Sequence, residues 1–336
     1  MSFSRAPRIW GLLGHRVGDN NQVLALCEEL GLPFTTLTLR YNLLRALKGK
    51  HLGATLATLT RASRQWIDPP WPDLVIAIGR RSVAVARYIR KQSGGRTKLV
   101  LIGHPRVDPR DFDLVITTPQ YPVPRHANVM LLTLTMARRR VALAPTARES
   151  EWLGAIPRPH LLFAIGGPTK YYDLPAEGMV DAAVRLAARA EKVGGSLIVA
   201  GSPRSERATL EDIAGRFGGA RHRLVTGRHP RFAVLIEDAD EIFVTADSMS
   251  MLSEAILAGV PVGVVPVELN ETGRRWLGDG TGSAEKPGTR RDLRKVWTRL
   301  EAEGLIGTIQ QPRSGLAENP VRRAAERVRL LLGDLV

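Results

Sequence analysis

The segment 244–263, VTADSMSMLSEAILAGVPVG, brings together residue types that bind phosphate and ribose. Its apolar start predicts a strand, and Asp247, Ser248 and Ser250 are residue types that commonly begin a helix. The start of a helix offers unpaired amides to an anion, and serine hydroxyls add further donors. Glu254 lies one helical turn after Ser250, where a carboxylate can accept both hydroxyls of a ribose. The spacing predicts a nucleotide-phosphate site; the alternative is a serine-capped helix on a sheet, with Glu254 in solvent.

Other loops combine glycine with a cation or a histidine directly after an apolar run. In the first half of the chain they are 14–20 (GHRVGDN), 79–82 (GRRS) and 103–106 (GHPR), and in the second half they are 166–170 (GGPTK), 201–204 (GSPR) and 227–230 (GRHP). Ligands of open parallel sheets lie beyond the carboxyl ends of the strands, so these loops form the candidate site of each half.

Apolar runs that alternate with helical stretches position these loops, as is typical of βαβ units. Strands are predicted at 8–14, 34–39, 73–79, 98–103, 113–118, 128–135, 160–166, 196–201, 223–227, 241–246 and 260–267. Helices are predicted at 21–31, 43–67, 82–92, 177–195, 206–219, 232–240, 250–259, 289–304 and 319–333. This order predicts an α/β chain of two doubly wound domains, 1–145 and 160–318, joined by a proline-rich linker at 146–159.

The positive charge is concentrated in the first half of the 336 residues. Residues 1–150 hold 23 Lys and Arg against 9 Asp and Glu, a net +14, whereas residues 151–336 hold 25 against 24, a net +1. A coding bias towards arginine, 40 Arg to 8 Lys, can raise the total but does not explain the asymmetry. We expect the first half to attract anionic lipid or a phosphorylated glycolipid. Nucleic acid is not expected as a partner, because aromatic residues make up only 5% and no nucleic-acid-binding motif is present.

Cys27 is the single cysteine, which excludes an internal disulfide framework. It lies in VLALCEEL and is expected to be a small buried side chain rather than a nucleophile. The apolar runs are interrupted by Gly and Pro before they reach the ~20 residues of a spanning helix, and no signal peptide is expected. We expect a cytoplasmic protein that could contact the inner membrane face peripherally through its basic first half.

Longer stretches of the sequence resemble a known family. Residues 223–266, RLVTGRHPRFAVLIEDADEIFVTADSMSMLSEAILAGVPVGVVP, resemble the donor side of GT-B glycosyltransferases. More specifically, GHRVGDNNQ, PDLVIAIGRRSV, LIGHPR, FDLVITTPQY and AIGGPTKYY together resemble the mitochondrial-fission ELM-type family, whose bacterial members are grouped with glycosyltransferases. The resemblance covers residues 8–335. It implies a GT-B-like fold, two Rossmann-like domains facing a cleft, with the C-terminal helix in 319–336 crossing back to the first domain.

For the second domain, the resemblance implies a nucleotide-sugar site. The residues that would line it are Gly166, Gly167, Thr169 and Lys170 beside the pyrophosphate, Ser202 and Arg204 in the same cleft, Arg228 and Phe232 near the base, and Asp247, Ser248, Ser250 and Glu254 at the phosphate and ribose. Lys170 is also a catalytic candidate, because it could neutralise phosphate charge as the bond breaks. A solvated loop lysine is the alternative.

For the first domain, the resemblance implies an acceptor site. Its candidate residues are Gly14, Arg16, Gly18, Asn20, Gln22, Arg80, Arg81, His104 and Arg106. His15 and Asp19 are the candidates for the general base of an inverting transfer. Asp19 could instead cap the helix that begins near Asn20, and His104 could pack against Pro105. A retaining enzyme would need no such base.

The predicted function is transfer of a sugar from a nucleotide sugar to a cell-envelope glycolipid or polysaccharide, as in lipopolysaccharide biosynthesis. The nucleotide sugar is a co-substrate, and no essential metal or other cofactor is expected. No Asp-x-Asp pair ends a predicted strand, since Asp238-Ala239-Asp240 closes a helix, and no His/Cys cluster has ligand spacing. Two alternatives remain open: a nucleotide-sugar epimerase on the same fold, and a non-enzymatic adaptor of the mitochondrial-fission type.

Overall fold

The chain divides into two compact units. The computed structural model describes residues 6–46, 52–137, 144–217, 221–225, 227–279 and 289–333. Met1–Arg138 and Glu318–Val336 form the first unit, and Arg139–Ala317 form the second. The C-terminal helix therefore belongs to the first unit, which confirms that it crosses back.

The first unit is built on a parallel six-stranded sheet. Its strands are β1 (Ile9–Leu13), β2 (Phe34–Thr38), β3 (Leu74–Ile78), β4 (Lys98–Ile102), β5 (Leu114–Thr117) and β6 (Val129–Leu131). They lie in the order β2-β1-β3-β4-β5-β6. The helices are α1 (Val17–Glu29), α2 (Arg61–Arg64), α3 (Gly79–Gln92) and the closing helix (Pro320–Leu332), with 3-10 turns at Leu43–Ala46 and Pro109–Asp111.

Both faces of this sheet are buried, because successive residues of a strand point to opposite faces. Leu74 and Ile76 belong to the apolar cluster that includes α1 and the closing helix. Val75 and Ala77 belong to the cluster on the other face, which includes α3. Near-continuous apolar runs such as LVIAI therefore form strands here, as the sequence predicts.

Cys27 lies in the core of the first unit, in the apolar cluster between the sheet and the closing helix. Its side chain is fully buried, and burial together with the neighbouring charge of Glu28 raises the pKa of the thiol to about 12. The thiol therefore stays protonated at neutral pH, which makes it a poor nucleophile.

The second unit repeats the doubly wound plan with a parallel five-stranded sheet. Its strands are β7 (His160–Ile165), β9 (Ser196–Gly201), β10 (Arg223–Val225), β11 (Glu241–Thr245) and β12 (Val262–Val265), and the short β8 (Tyr172–Asp173) and β13 (Glu268–Leu269) pair antiparallel. The large sheet has the order β10-β9-β7-β11-β12. The helices are α4 (Ala147–Gly154), α5 (Ala176–Lys192), α6 (Arg207–Arg216), α7 (Phe232–Asp238), α8 (Met249–Leu257), α9 (Glu271–Leu277) and α10 (Arg294–Ala302).

The segment 146–159, predicted as a linker, carries α4. Thr146 accepts a hydrogen bond from the amide of Glu149, and the Glu149 carboxylate accepts from the amide of Thr146, which forms a capping box. The same buried carboxylate binds the Arg231 guanidinium at 2.5 Å. These contacts, led by the hydrogen bond from Arg231, hold the pKa of Glu149 well below its usual range.

Several predicted elements differ from the structure: the helix predicted over 289–304 begins at Arg294, and the strand predicted over 128–135 is only Val129–Leu131. The helix predicted over 43–67 is wrong for the described residues, which form only the turn at Leu43–Ala46 and the short α2. Gly53 has a left-handed φ of 57°, and Thr60 is extended, so the backbone leaves the helical region. α1 begins at Val17 instead of residue 21, so Asp19 lies inside its first turn and does not cap it.

Substitution in the closing helix tests its contribution to the first unit. Val328 is fully buried, whereas Leu330 on the same helix is 73% exposed. We expect Val328→Asp to lower the free energy of unfolding by about 3–5 kcal/mol, because it buries an unpaired charge. Leu330→Asp should change it by less than about 0.5 kcal/mol. Urea unfolding followed by circular dichroism measures both, and equal effects would show that the helix does not pack as described.

Candidate functional site

The loops of the first unit meet where the strand order reverses. β1 has β2 on one side and β3 on the other, so the chain leaves β1 in one direction and later returns past it. Ligands of doubly wound sheets bind at the carboxyl ends of such neighbouring strands. Gly14 follows β1 and Gly79 follows β3, so the loops predicted to carry the acceptor site lie at this position.

Two adjoining cavities open there. The first, of about 260 Å³, is lined by six predicted acceptor-side or catalytic residues: Arg16, Asp19, Gln22, Arg80, His104 and Arg106. The second, of about 240 Å³, shares three of these residues and adds Gly14, His15, Arg81 and Tyr41. The structure thus brings together loops that are far apart in sequence.

Asn20 fixes the first of these loops and does not line either cavity. Its side-chain amide accepts a hydrogen bond from the amide of Gly14 at 2.8 Å and donates one to the Gly14 carbonyl at 2.9 Å. Both polar groups of Gly14 are satisfied by one side chain. Gly18 lies in the first turn of α1 and also lines neither cavity.

His104 is held in one tautomer by the backbone. The amide of Arg106 donates to Nδ1 at 3.1 Å, and Arg106 adopts a left-handed φ of 63°. Burial, with a smaller contribution from the positive charge of Arg106, lowers the pKa of His104 to about 4. Because Nδ1 accepts, the neutral ring carries its proton on Nε2. His104 is therefore a hydrogen-bond donor to a ligand rather than a general base.

The two candidate bases are placed differently. His15 is exposed, and its ring lies 3.3 Å from an Arg81 guanidinium nitrogen. Asp19 lines both cavities and is the only acidic residue among the described residues that line either one. Geometry favours Asp19 over His15, because Asp19 lines both cavities whereas His15 lines only the second.

Thr117 is a cavity residue that the sequence reasoning missed. It ends β5, lines the first cavity, and is almost fully buried. Its hydroxyl has no hydrogen-bond partner among the described residues. A buried hydroxyl without a partner is uncommon in folded proteins. The sequence signal was the pair of threonines that closes the strand DLVITT.

In the second unit, the strand order reverses between β7 and β11. Gly166 and Gly167 follow β7, and Asp247 follows β11. The Asp247 carboxylate is completely buried; it accepts from the amide of Gly167 at 3.1 Å and from an Arg204 guanidinium nitrogen at 2.7 Å. We call Gly166, Gly167, Arg204, Thr245 and Asp247 the Asp247 cluster.

Thr245 completes the cluster and was not predicted. Its hydroxyl donates to Asp247 at 2.7 Å and accepts from the amide of Gly166 at 2.8 Å. The amides of both glycines are thus engaged within the protein. The loop that was predicted to flank the donor pyrophosphate is fixed in place, but these two amides are not free donors.

Close packing explains why both positions are glycine. A Cβ atom at residue 166 would lie 2.2 Å from an Asp247 carboxylate oxygen, and one at residue 167 would lie 2.1 Å from the Arg204 carbonyl. Real Cβ atoms do not approach that closely. Ser202 supports the same loop by donating to the Gly166 carbonyl at 2.9 Å, and Arg204 donates to the Gly167 carbonyl at 2.5 Å.

α8 begins directly after the Asp247 cluster. Ser248 is its N-cap residue, and no hydrogen bond from its side chain caps the helix. Ser250 and Glu254 are half-buried and lie one turn apart on one face. Ser248 and Ser250 therefore lie at the start of α8, whereas Asp247 is buried. Phosphate binding at this helix start stays a prediction.

The remaining predicted donor-side residues are more loosely placed. Thr169 closes a turn by accepting from the amides of Tyr171 and Tyr172. Lys170 is exposed, with its ammonium 5.4 Å from the centre of the Tyr171 ring. Arg228 is exposed, and Phe232 is half-buried at the start of α7. Their roles in nucleotide binding stay predictions.

The Asp238–Asp240 pair has structural partners. Asp238 binds the ring of buried His160 at 2.6 Å, and both carboxylates pair with Arg158. Burial raises the pKa of Asp238, but the hydrogen bonds from His160 and Arg158 outweigh it and lower the pKa overall. In the described part of the chain, no group of three His, Cys, Asp or Glu side chains could hold a metal ion. No helix in that part is long and apolar enough to cross a membrane.

Comparison with known proteins identifies the family. A family model described as mitochondrial fission ELM1 matches residues 17–326. The chain belongs to the mitochondrial fission ELM1 family. This family member is 26% identical over 242 residues to mitochondrial fission protein ELM1 of Arabidopsis thaliana, across 64% of this chain and 56% of that protein. It is 35% identical over 109 residues to an uncharacterized protein of Rickettsia prowazekii, across 32% of this chain and 30% of that protein.

Solved structures show the fold of this ELM1-family protein. A UDP complex of MnaA from S. aureus superposes with a TM-score of 0.54 at 12% identity, covering 98% of each chain. The UDP-GlcNAc 2-epimerase of Neisseria meningitidis, bound to UDP-GlcNAc, superposes with a TM-score of 0.52. The enzyme of that name from Methanocaldococcus jannaschii superposes with a TM-score of 0.53. Each is 12% identical to this chain, and each match covers 97% of this chain and 99% of the other. The predicted fold class, a GT-B-like pair of doubly wound units, is confirmed.

Gly166→Ala tests the packing of the Asp247 cluster. The added methyl group displaces a buried carboxylate, so we expect a loss of about 1–3 kcal/mol in the free energy of unfolding. Gly178→Ala is the matched control, because residue 178 is exposed on α5 with no atom near its Cβ position. That variant should be neutral or up to about 1 kcal/mol more stable. Chemical denaturation that ranks the two the other way would contradict the described packing.

The pH response of His104 tests its environment. Histidine ring resonances in NMR should report a midpoint near 4 for His104. Between that pH and the ordinary histidine pKa of about 6.5, the unfolded chain binds more protons than the native state, so stability should fall as the pH decreases through this range. Arg106→Gln keeps the backbone donor but removes a charge, so the midpoint should rise and still stay below 6.5, because burial is the larger cause. A wild-type midpoint at or above 6.5 would contradict this account.

Proposed function

We propose that this ELM1-family protein transfers a sugar from a nucleotide-sugar donor to a cell-envelope glycolipid or polysaccharide. The observation that supports the proposal is that each unit has a point where the strand order reverses, with predicted site residues beside it. One has a fixed glycine loop and a helix start with hydroxyl donors, and the other has two cavities lined by arginines. A transferase needs two such sites, one for each substrate.

On the donor side, the start of α8 would hold the phosphates through backbone amides of its first turn and the hydroxyls of Ser248 and Ser250. Glu254 would accept the ribose hydroxyls, and Lys170 would neutralise charge on the leaving diphosphate. The structures that share this fold include complexes with UDP and with UDP-GlcNAc, which supports a nucleotide-sugar ligand.

On the acceptor side, Arg16, Arg80 and Arg106 favour an anionic acceptor such as a phosphorylated glycolipid. His104 would donate through Nε2 to an acceptor oxygen, and Asp19 would take the proton from the attacking hydroxyl in an inverting transfer. The reaction would need no metal, because helix amides and cationic side chains carry the phosphate charge.

The two alternatives make different demands. An epimerase acts on the donor alone, and the arginine-lined cavities would then have no substrate to bind. An adaptor of the mitochondrial-fission type would need neither site. The three superposed structures share only the fold with this chain, so they do not choose between transfer and epimerisation.

A thermal-shift panel of UDP, GDP, ADP, CMP and their sugars tests the donor site. One nucleotide class should raise the melting temperature by several degrees, because a ligand that binds only the native state stabilises it. Glu254→Ala should weaken the affinity for that nucleotide by roughly tenfold, the effect of losing a hydrogen bond to a charged group. Glu301→Ala, an exposed acidic position on α10, is the matched control and should leave the affinity unchanged.

The same experiment separates the alternatives. If no nucleotide shifts the melting temperature, the adaptor function gains support and the transferase proposal fails. If a donor binds and is converted to an isomerised sugar without any acceptor, the protein is an epimerase. Unchanged affinity in the Glu254→Ala variant would remove that residue from the ribose site.

A further inference from the structure

Three large apolar side chains of the first unit are strongly exposed on one short stretch of chain. Leu43 is 88% exposed, Leu44 is 45% exposed and Trp66 is 62% exposed. Single exposed apolar residues are common on protein surfaces and need no explanation. A tryptophan and two leucines exposed on neighbouring segments, with the exposed Arg40, Arg61 and Arg64 on the same segments, form a less ordinary surface.

Hydrogen bonds join the segment before the two leucines to the segment before the tryptophan. Tyr41 pairs with Leu59 in an antiparallel bridge, and the amide of Asn42 donates to the Thr58 carbonyl. The amide of Arg40 donates to the Ser63 hydroxyl at 2.8 Å. Leu43 and Leu44 directly follow Asn42. Trp66 lies two residues after the end of α2 at Arg64. We call Arg40, Leu43, Leu44, Arg61, Arg64 and Trp66 the 40–66 patch.

The sequence that carries the patch holds charge of one sign. Residues 30–67 contain six Lys and Arg, and no Asp or Glu: Arg40, Arg45, Lys48, Lys50, Arg61 and Arg64. Arg40, Arg61 and Arg64 are exposed in the structure. Two further stretches of the first half, 74–107 and 114–148, also contain no acidic residue. The sequence that carries the patch is therefore one of the basic, acid-free stretches of the first half.

We propose that the 40–66 patch docks the protein on an anionic lipid bilayer. Exposed Trp and Leu side chains insert at the boundary between headgroups and acyl chains, where an aromatic ring with a polar edge is most favourable. Cations beside them gain about 1 kcal/mol each from an anionic lipid surface. Apolar insertion and charge attraction act together, which is the combination that reversible membrane binding requires.

The patch lies next to an acceptor-side cavity along the chain. Tyr41 lines the second cavity, and Leu43 lies two residues further along the chain. This part of the proposal rests on the proposed function: a lipid-linked acceptor could keep its acyl chains in the bilayer while its headgroup reaches the cavities. The acceptor class would then be a lipid-linked sugar or phosphate rather than a free polysaccharide.

Co-sedimentation with vesicles tests the docking surface, with no nucleotide sugar present. The wild type should bind phosphatidylcholine vesicles that contain phosphatidylglycerol more tightly than phosphatidylcholine alone, and added salt should weaken this binding. The double variant Leu43→Ala/Trp66→Ala should bind the anionic vesicles at least about tenfold more weakly, because it loses most of the inserted apolar surface. Leu330→Ala, a 73% exposed leucine of the same unit, is the matched control and should bind like the wild type.

A second measurement locates the insertion. Tryptophan fluorescence should shift to the blue when anionic vesicles are added, and Trp66→Phe should remove most of that shift while the melting temperature is unchanged. Binding that does not depend on anionic lipid, or an equal loss in Leu330→Ala, would overturn the proposal. Vesicle binding with no response in the nucleotide panel would leave the docking surface standing and refute the transferase function.

Discussion

The buried carboxylate of Asp247 is the constraint on which the second unit's site depends. A charge without exposure to water must be paired and hydrogen-bonded, and Arg204, Thr245 and the amide of Gly167 supply its partners. The carboxylate fills the space that a Cβ atom at residue 166 would need, so only glycine fits there. The amides of Gly166 and Gly167 are engaged by Thr245 and Asp247, so the proposed phosphate site relies on donors at the start of α8.

In the first unit, a neutral side chain fixes the loop that follows the first strand. Asn20 satisfies the amide and carbonyl of Gly14, in the loop after its first strand, without adding charge. Among the described residues that line the nearby cavities, Asp19 is the only acidic one, beside several arginines. The loop of the second unit thus holds a paired charge, whereas the cavities of the first are rich in cations.

The sequence predicted the strands well because parallel strands buried on both faces must be continuously apolar, as LVIAI and HLLFAI are. It failed at 43–67, where helix-compatible spacing was overridden by a left-handed Gly53 and by backbone pairing with residues 40–42. Asp247 was considered as a helix cap, but its carboxylate is buried and Ser248 is the N-cap residue. The direction of a side chain at the end of a strand depends on the neighbouring strand, which the sequence does not show. Thr245 and Thr117 were missed for the same reason: each is the last residue of a strand, and only the fold shows which neighbour it meets.

Membership of the ELM1 family establishes descent and leaves the choice between enzyme and adaptor open. The Asp247 cluster bears on that choice. Replacing a buried ion pair by apolar residues of similar volume is often neutral or stabilising, so stability alone gives weak grounds for an Arg204–Asp247 pair. Its clearest structural effect is to fix the loop after β7 beside the start of α8, where a phosphate would bind. The proposed transferase would use this fixed loop to position a donor phosphate, whereas an adaptor would not depend on it.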